Sequence, residues 1–224
     1  MQVDPPPIFV FDAFGTLFDV HSGMRENAGA IGPNAQRFSE IWRGKQLEYT
    51  WIYAGIGSGA SAPDFRTITE NSLQYALAAT GLAQTLAPRL RESYRRLAAF
   101  PEVAASLRSA KARGARLAIL SNADPDMLDE LVCHAELGDV FDFVLSVRGT
   151  GTYKPAASVY RLATDAFQCA PSSITFVSSN RWDCAGAKAF GLTTLWVNRT
   201  NTPPEYDDLA VDRVVSNLAD GALK

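Results

Sequence analysis

Only three cysteines occur in 224 residues, at positions 133, 169 and 184, an odd number with no CxxC pair. That excludes a disulfide framework or a cysteine-zinc ribbon as the basis of the fold, and it suits a reducing compartment. No apolar run approaches the roughly 20 residues needed to cross a bilayer. The first residues, MQVDPPPIFVF, put no basic stretch ahead of their short apolar run. This is not the pattern of a secretory signal, and the cytoplasm is the expected location. Positive charge is not in excess: 21 Lys and Arg stand against 24 Asp and Glu, a net charge of −3, which excludes a generally basic nucleic-acid binder. There is no internal repeat, and no low-complexity tract beyond Pro5-Pro6-Pro7, an extended lead-in that cannot join a helix. Hydrophobic residues at 47% and charged residues at 20% match ordinary soluble proteins, so disorder is excluded for most of the chain. The length suits one domain, or a core with a modest insertion.

The hydrophobic pattern divides the chain. Ile8–Phe11 is a short continuous apolar run ending at Asp12, which suits a strand buried on both faces. From about His21 to Leu97 the texture is helical. Phe38, Ile41, Trp42, Tyr49 and Ile52 recur at helical spacing; residues 55–63 read as a loop. Asp64 is an expected N-cap for a helix carrying Phe65, Ile68, Ser72 and Ala76 and closed by Gly81. Leu86, Leu90, Tyr94 and Leu97 mark another. From Pro101 helices and strands alternate. Strands are expected at Arg116–Leu120, at Phe143–Ser146, at Ile174–Val177 and at Thr193–Val197, with helices between them. Such alternation implies a parallel sheet. The expected fold is α/β: a Rossmann-like, doubly wound core from 1–20 and 99–224, with a helical cap inserted at 21–98.

Ligands of open parallel sheets bind beyond the carboxyl ends of the strands, where strand order reverses. The residues following the strands are Asp12, then Ser121 and Asn122, then Tyr153-Lys154-Pro155, then Ser178, Ser179, Asn180 and Asp183. Each has an ordinary explanation. Asp12 could serve a turn, and Ser121-Asn122 a helix cap. Lys154 could be a solvated loop lysine, and Asp183 a first-turn residue favouring a helix dipole. What weighs against these is that all four groups lie at the same end of successive strands.

VFDAFGTLF, LSNA, YKP and FVSSNRWDCAGAKAFG resemble, in order, the four motifs of the haloacid-dehalogenase superfamily, and the likeness spans almost the whole chain. Phosphatases of that superfamily carry a second Asp two positions after the nucleophile; here that position is Phe14. Their fourth motif begins Gly-Asp, here Ser178-Ser179. FDAFGTLFDV, WRGKQLEYTW and SSNRWD instead resemble the (S)-2-haloacid dehalogenase branch, which uses no metal. The resemblance implies that Asp12 is the nucleophile, Lys154 its cationic neighbour, and Asp183 the general base, with Ser178 and Asn180 placing water. It implies that Arg43 and Asn122 receive the halide and that Ser121 meets the substrate carboxylate. Phe14, Thr16, Phe65, Tyr160 and Trp182 are expected to line the pocket. No cofactor and no metal are expected. The expected partners are a 2-haloacid, its halide and a second copy of the chain, with no nucleic acid and no membrane. A magnesium-dependent phosphatase and a non-catalytic binding protein on the same fold are the alternatives; Phe14 and Ser179 count against the first, and Asp12, Lys154 and Asp183 together against the second. Gly44, where relatives often carry Gln, and Ala123, where Gly is common, are departures that could alter pocket size or loop conformation.

Overall fold

The computed structural model describes residues 5–56, 62–219 and 221–224. In chain order the elements are β1 (Ile8–Phe11), α1 (Ser22–Glu26), α2 (Ala28–Ile31), α3 (Ala35–Gly55), α4 (Phe65–Thr80), α5 (Ala87–Arg95), α6 (Val103–Ala112), β2 (Arg116–Ser121), α7 (Pro125–His134), β3 (Phe143–Ser146), α8 (Ala157–Phe167), β4 (Ile174–Ser178), α9 (Arg181–Phe190), β5 (Thr193–Val197) and β6 (Arg213–Val215). The strands form one parallel sheet of order β3-β2-β1-β4-β5-β6. This is the expected α/β, doubly wound architecture.

Strands β1, β2, β4 and β5 are buried along almost their whole length. That is why their sequences read as continuous apolar runs without alternation. β1 lies at the centre, with β2 on one side and β4 on the other; Phe11 is level with both Ile119 and Val177. The next backbone N–H, that of Asp12, still donates to the Val177 carbonyl at 2.9 Å. Asp12 therefore leaves the sheet at the point where strand order reverses. Ser121 and Ser178 are the last residues of β2 and β4, so each strand runs one position further than expected.

Three further features differ from expectation. A sixth strand, β6, was not anticipated: it is three residues of Arg213-Val-Val on a partly exposed edge, too short to show a period. α3 runs on to Gly55, so the expected loop starts later, and residues 57–61 lie outside the described ones. Short helices α1 and α2 precede α3 within a stretch read only as helical. Asp64 does cap α4, accepting from Thr67 N at 2.8 Å, and Gly81 ends it in the left-handed conformation at φ 68°.

The helical layer α1–α5 joins the sheet through two linkers that run side by side. Asp19 N donates to the Ala98 carbonyl at 2.8 Å and Phe100 N to that of Leu17 at 3.0 Å. Within this layer α3 packs on α4, where Trp42 Nε1 donates to the Thr69 carbonyl at 3.0 Å.

Candidate active site

Three strand ends deliver a buried polar cluster. Asp12, 6% exposed, accepts from Thr16 Oγ1 (3.0 Å) and Asn180 Nδ2 (2.8 Å) on Oδ2, and from Lys154 Nζ (3.1 Å) on Oδ1. All three contacts are donors, so both carboxylate oxygens act as acceptors. Gly15 lets the chain turn back beneath Asp12, at φ +88°. Thr16 Oγ1 is itself held by Ser179 N at 2.8 Å, and Asn180 Nδ2 also reaches the Phe14 carbonyl at 3.1 Å.

Lys154 is 1% exposed, and its ammonium also donates to Asp183 Oδ2 at 2.9 Å. Its backbone N–H is fixed by Asn122 Oδ1 at 3.0 Å. Asp183, fully buried, accepts from Tyr160 OH at 2.7 Å and, more weakly, from Ser178 Oγ at 3.4 Å. Gly186 makes this possible. A Cβ there would stand 2.5 Å from Tyr160 OH and 2.6 Å from Pro155 Cβ, so only glycine lets α9 approach α8 this closely.

Two carboxylates thus share one ammonium out of water. Burial pushes the Asp183 carboxyl above the usual carboxylate range; Lys154 pulls it back and the nearby charge of Asp12 adds to the rise. Burial alone would lower the Lys154 ammonium, but Asp12 and Asp183 more than offset it, so the net shift is upward and the cation is kept. Burial, then Asp183, raises the Tyr160 phenol well above its ordinary value, so it stays a donor.

Arg43 reaches this cluster from α3. Its Nη1 donates to Gln46 Oε1 at 2.7 Å and its Nη2 to the Phe14 carbonyl at 3.3 Å. Phe14 is buried, stacked on Tyr94 (5.6 Å, 14°) and tilted against Phe65 (5.7 Å, 52°), which makes an aromatic wall beside the loop that follows Asp12. Trp182 is half-buried with Trp51 against it edge-on at 5.4 Å. Ser121 Oγ is buried and accepts from Ala123 N at 3.2 Å.

One expectation needs correction. Tyr160 does not line a pocket: it is fully buried and lies behind Asp183 as a support. Gly44 is exposed and beside a cavity lined by Ile41, Lys45, Trp51 and Tyr75; among the described residues an added Cβ there meets nothing within 4 Å. Sequence reasoning also missed Gln46 and Tyr94, buried polar residues that touch each other across 48 positions. Only the spacing of Gln46, one turn beyond Arg43, hinted at either.

This donor set does not fit magnesium, which takes near-octahedral oxygen ligation. The carboxylate oxygens of Asp12 and Asp183 are engaged by ammonium, amide and hydroxyl donors, and the ammonium lies between them. Among the described residues, no group of three or more His, Cys, Asp or Glu is placed to share a metal.

A doubly wound sheet that presents a buried aspartate–lysine–aspartate cluster at its switch point defines a class of α/β hydrolytic enzymes. Residues 7–191 match the haloacid dehalogenase-like hydrolase family model. The chain is 45% identical to an (S)-2-haloacid dehalogenase of Pseudomonas sp. (strain YL), over 93% of this chain and 89% of that one. It is 38% identical to (S)-2-haloacid dehalogenase 4A of Burkholderia cepacia, over 98% and 94%. Among solved structures it resembles L-2-haloacid dehalogenase from Xanthobacter autotrophicus with chloropropionic acid covalently bound, at TM-score 0.85, 34% identity and 97% coverage of both chains. The chain belongs to the haloacid dehalogenase-like hydrolase family.

Proposed function

We propose that this protein hydrolyses short (S)-2-haloalkanoic acids to (R)-2-hydroxy acids and halide. The observation that carries the reading is the buried lysine bonded to both Asp12 and Asp183, in a chain whose relatives are named (S)-2-haloacid dehalogenases. An Asp12 oxygen attacks C2 from the side opposite the halogen. The carbon–halogen bond breaks with its electron pair on the halide, C2 inverts, and an ester forms on Asp12. Water then adds to the Asp12 carboxyl carbon, and the ester opens to release the hydroxy acid. One difficult displacement becomes two easier steps.

The contacts among these groups support the following residue roles. Thr16, Asn180 and Lys154 hold Asp12 in one orientation. Such alignment can contribute roughly 7–11 kcal/mol. Arg43, reaching the Phe14 carbonyl two residues past the nucleophile, receives the departing halide together with Asn122. Ser121 and nearby backbone N–H groups face the substrate carboxylate, and Phe14, Phe65 and Trp182 enclose its alkyl part. Asp183 takes the proton of the attacking water. Its raised proton affinity suits a base, and its longest contact, 3.4 Å to Ser178, is the one a water would replace. Residues 21–98 act as the cap over this chamber.

The finer assignments are a cytoplasmic homodimer. The three cysteines are free, which suits a reducing compartment. Trp51 and Ile52 are 41% and 56% exposed, which leaves them available to a second copy rather than to the core. Light scattering on the purified protein reads the stoichiometry.

The test of function is incubation with each enantiomer of 2-chloropropionate, with and without EDTA. Only the (S) form should react, giving (R)-lactate, and the chelator should leave the rate unchanged. Turnover of both enantiomers at one rate, or loss with EDTA that magnesium restores, overturns the reading.

A further inference from the structure

Gln46 is a polar side chain with almost no access to solvent, at 1% exposure, one turn along α3 from Arg43. Its three partners settle which way its amide faces. Arg43 can only donate, so the atom 2.7 Å from its Nη1 must be the amide oxygen. The same oxygen accepts from Tyr94 OH at 2.8 Å. The amide nitrogen then faces Thr69 Oγ1 at 2.8 Å, whose own hydrogen goes to the Phe65 carbonyl at 2.8 Å. One glutamine thus ties α3 to α4 and α5, and the ring of Tyr94 carries the tie to Phe14 by stacking.

We propose that Gln46, locked by Tyr94 and Thr69, is a positioning residue that aims the Arg43 guanidinium at the departing halide while leaving its positive charge unneutralised. The assignment rests on the dehalogenase reading and deepens it. A guanidinium has five N–H donors. Among the described residues, the two acceptors that hold Arg43 are an amide oxygen and a peptide carbonyl, both neutral. They fix the fork without cancelling its charge and leave other donors for an anion. A carboxylate at the same place would form a charge-assisted pair with Arg43 and compete with the halide. Burial raises the Tyr94 phenol, so it stays protonated and keeps donating to Gln46.

Gln46→Glu tests this because it keeps side-chain length and an acceptor for both Arg43 and Tyr94 while adding the charge. Ester formation on Asp12 is followed in a rapid-quench single turnover with (S)-2-chloropropionate, sodium bromide is titrated as an inhibitor, and thermal denaturation reports folding. Ester formation should slow about 100-fold, as for loss of one transition-state donor. Bromide inhibition should weaken in parallel, which a merely structural role would not produce. Tyr94→Phe keeps the ring on Phe14 and removes one of the two donors to Gln46. It should give a smaller loss in both readouts, and it decides the matter should Gln46→Glu not fold. Folded variants with wild-type ester formation and wild-type bromide inhibition overturn the assignment. A wild-type protein that forms no ester overturns the dehalogenase reading itself, a different and separately visible failure.

Discussion

At the level of single residues, the cluster is organised by one shared cation. Asp12→Asn keeps the shape of the proposed nucleophile and removes its charge. Turnover should vanish with the fold intact, and retained activity in a deamidation-free sample would take Asp12 out of the chemistry. The same variant makes a second prediction with a definite sign. The Asp12 charge is one of the influences raising the Asp183 carboxyl. Removing it, and leaving Lys154 to pair with Asp183 alone, should let Asp183 ionise at lower pH. NMR of 13C-labelled aspartate carboxyls reads that titration, and an unchanged or higher midpoint contradicts the shared-cation account. In the proposed mechanism esterification of Asp12 removes the same charge, so Asp183 would ionise more easily before it takes the proton of the attacking water. Asp183→Asn should leave the first displacement possible and slow the second, with a halide burst of about one equivalent. Arg43→Ala should instead slow the first step by about 10²–10³-fold and build up no ester. A burst from Arg43→Ala and none from Asp183→Asn would reverse the assigned roles.

Among the elements, α9 is the most sensitive. Gly186→Ala forces a Cβ into contacts of 2.5 and 2.6 Å with Tyr160 and Pro155. Neither neighbour is the free end of a flexible chain, so α8 and α9 must separate, at a cost of about 1–3 kcal/mol. A lowered melting temperature and a slower second step are expected. A variant as stable and active as wild type would show that the Tyr160–Asp183 bond is dispensable. Here the limits of sequence reasoning are physical. Strands β1, β2, β4 and β5 were legible because burial on both faces writes an unbroken apolar run. β6 was not, because three residues on an exposed edge carry no period. Tyr160 has the spacing of a helix core residue, and nothing local shows that its hydroxyl meets Asp183, 23 residues away. Gln46 and Tyr94 meet only because α3 and α5 fold together, a contact without a short-range signature.

For the whole molecule, the sheet supplies Asp12, Lys154 and Asp183, and the helical layer supplies Arg43 and much of the aromatic wall. Ion pairs join the two: Arg66 to Asp126 at 2.5 Å, and Arg148 between Asp64 and Asp124 at 3.3 and 3.4 Å. The main cluster was legible as a set, because four strand-end positions of one parallel sheet must converge on one rim. Its internal wiring, with Lys154 shared and Tyr160 behind Asp183, needed the packed structure. The central claim is that Asp12 itself becomes covalently joined to the substrate, and oxygen labelling in one turnover tests it most directly. Excess enzyme is mixed with (S)-2-chloropropionate in 18O-water, and both the lactate and the Asp12 peptide are weighed by mass spectrometry. The account predicts unlabelled lactate, whose new hydroxyl oxygen came from Asp12, and one heavy oxygen in the Asp12 carboxylate. Heavy lactate with an unlabelled Asp12 would mean that water displaces the halide directly, and would contradict the account.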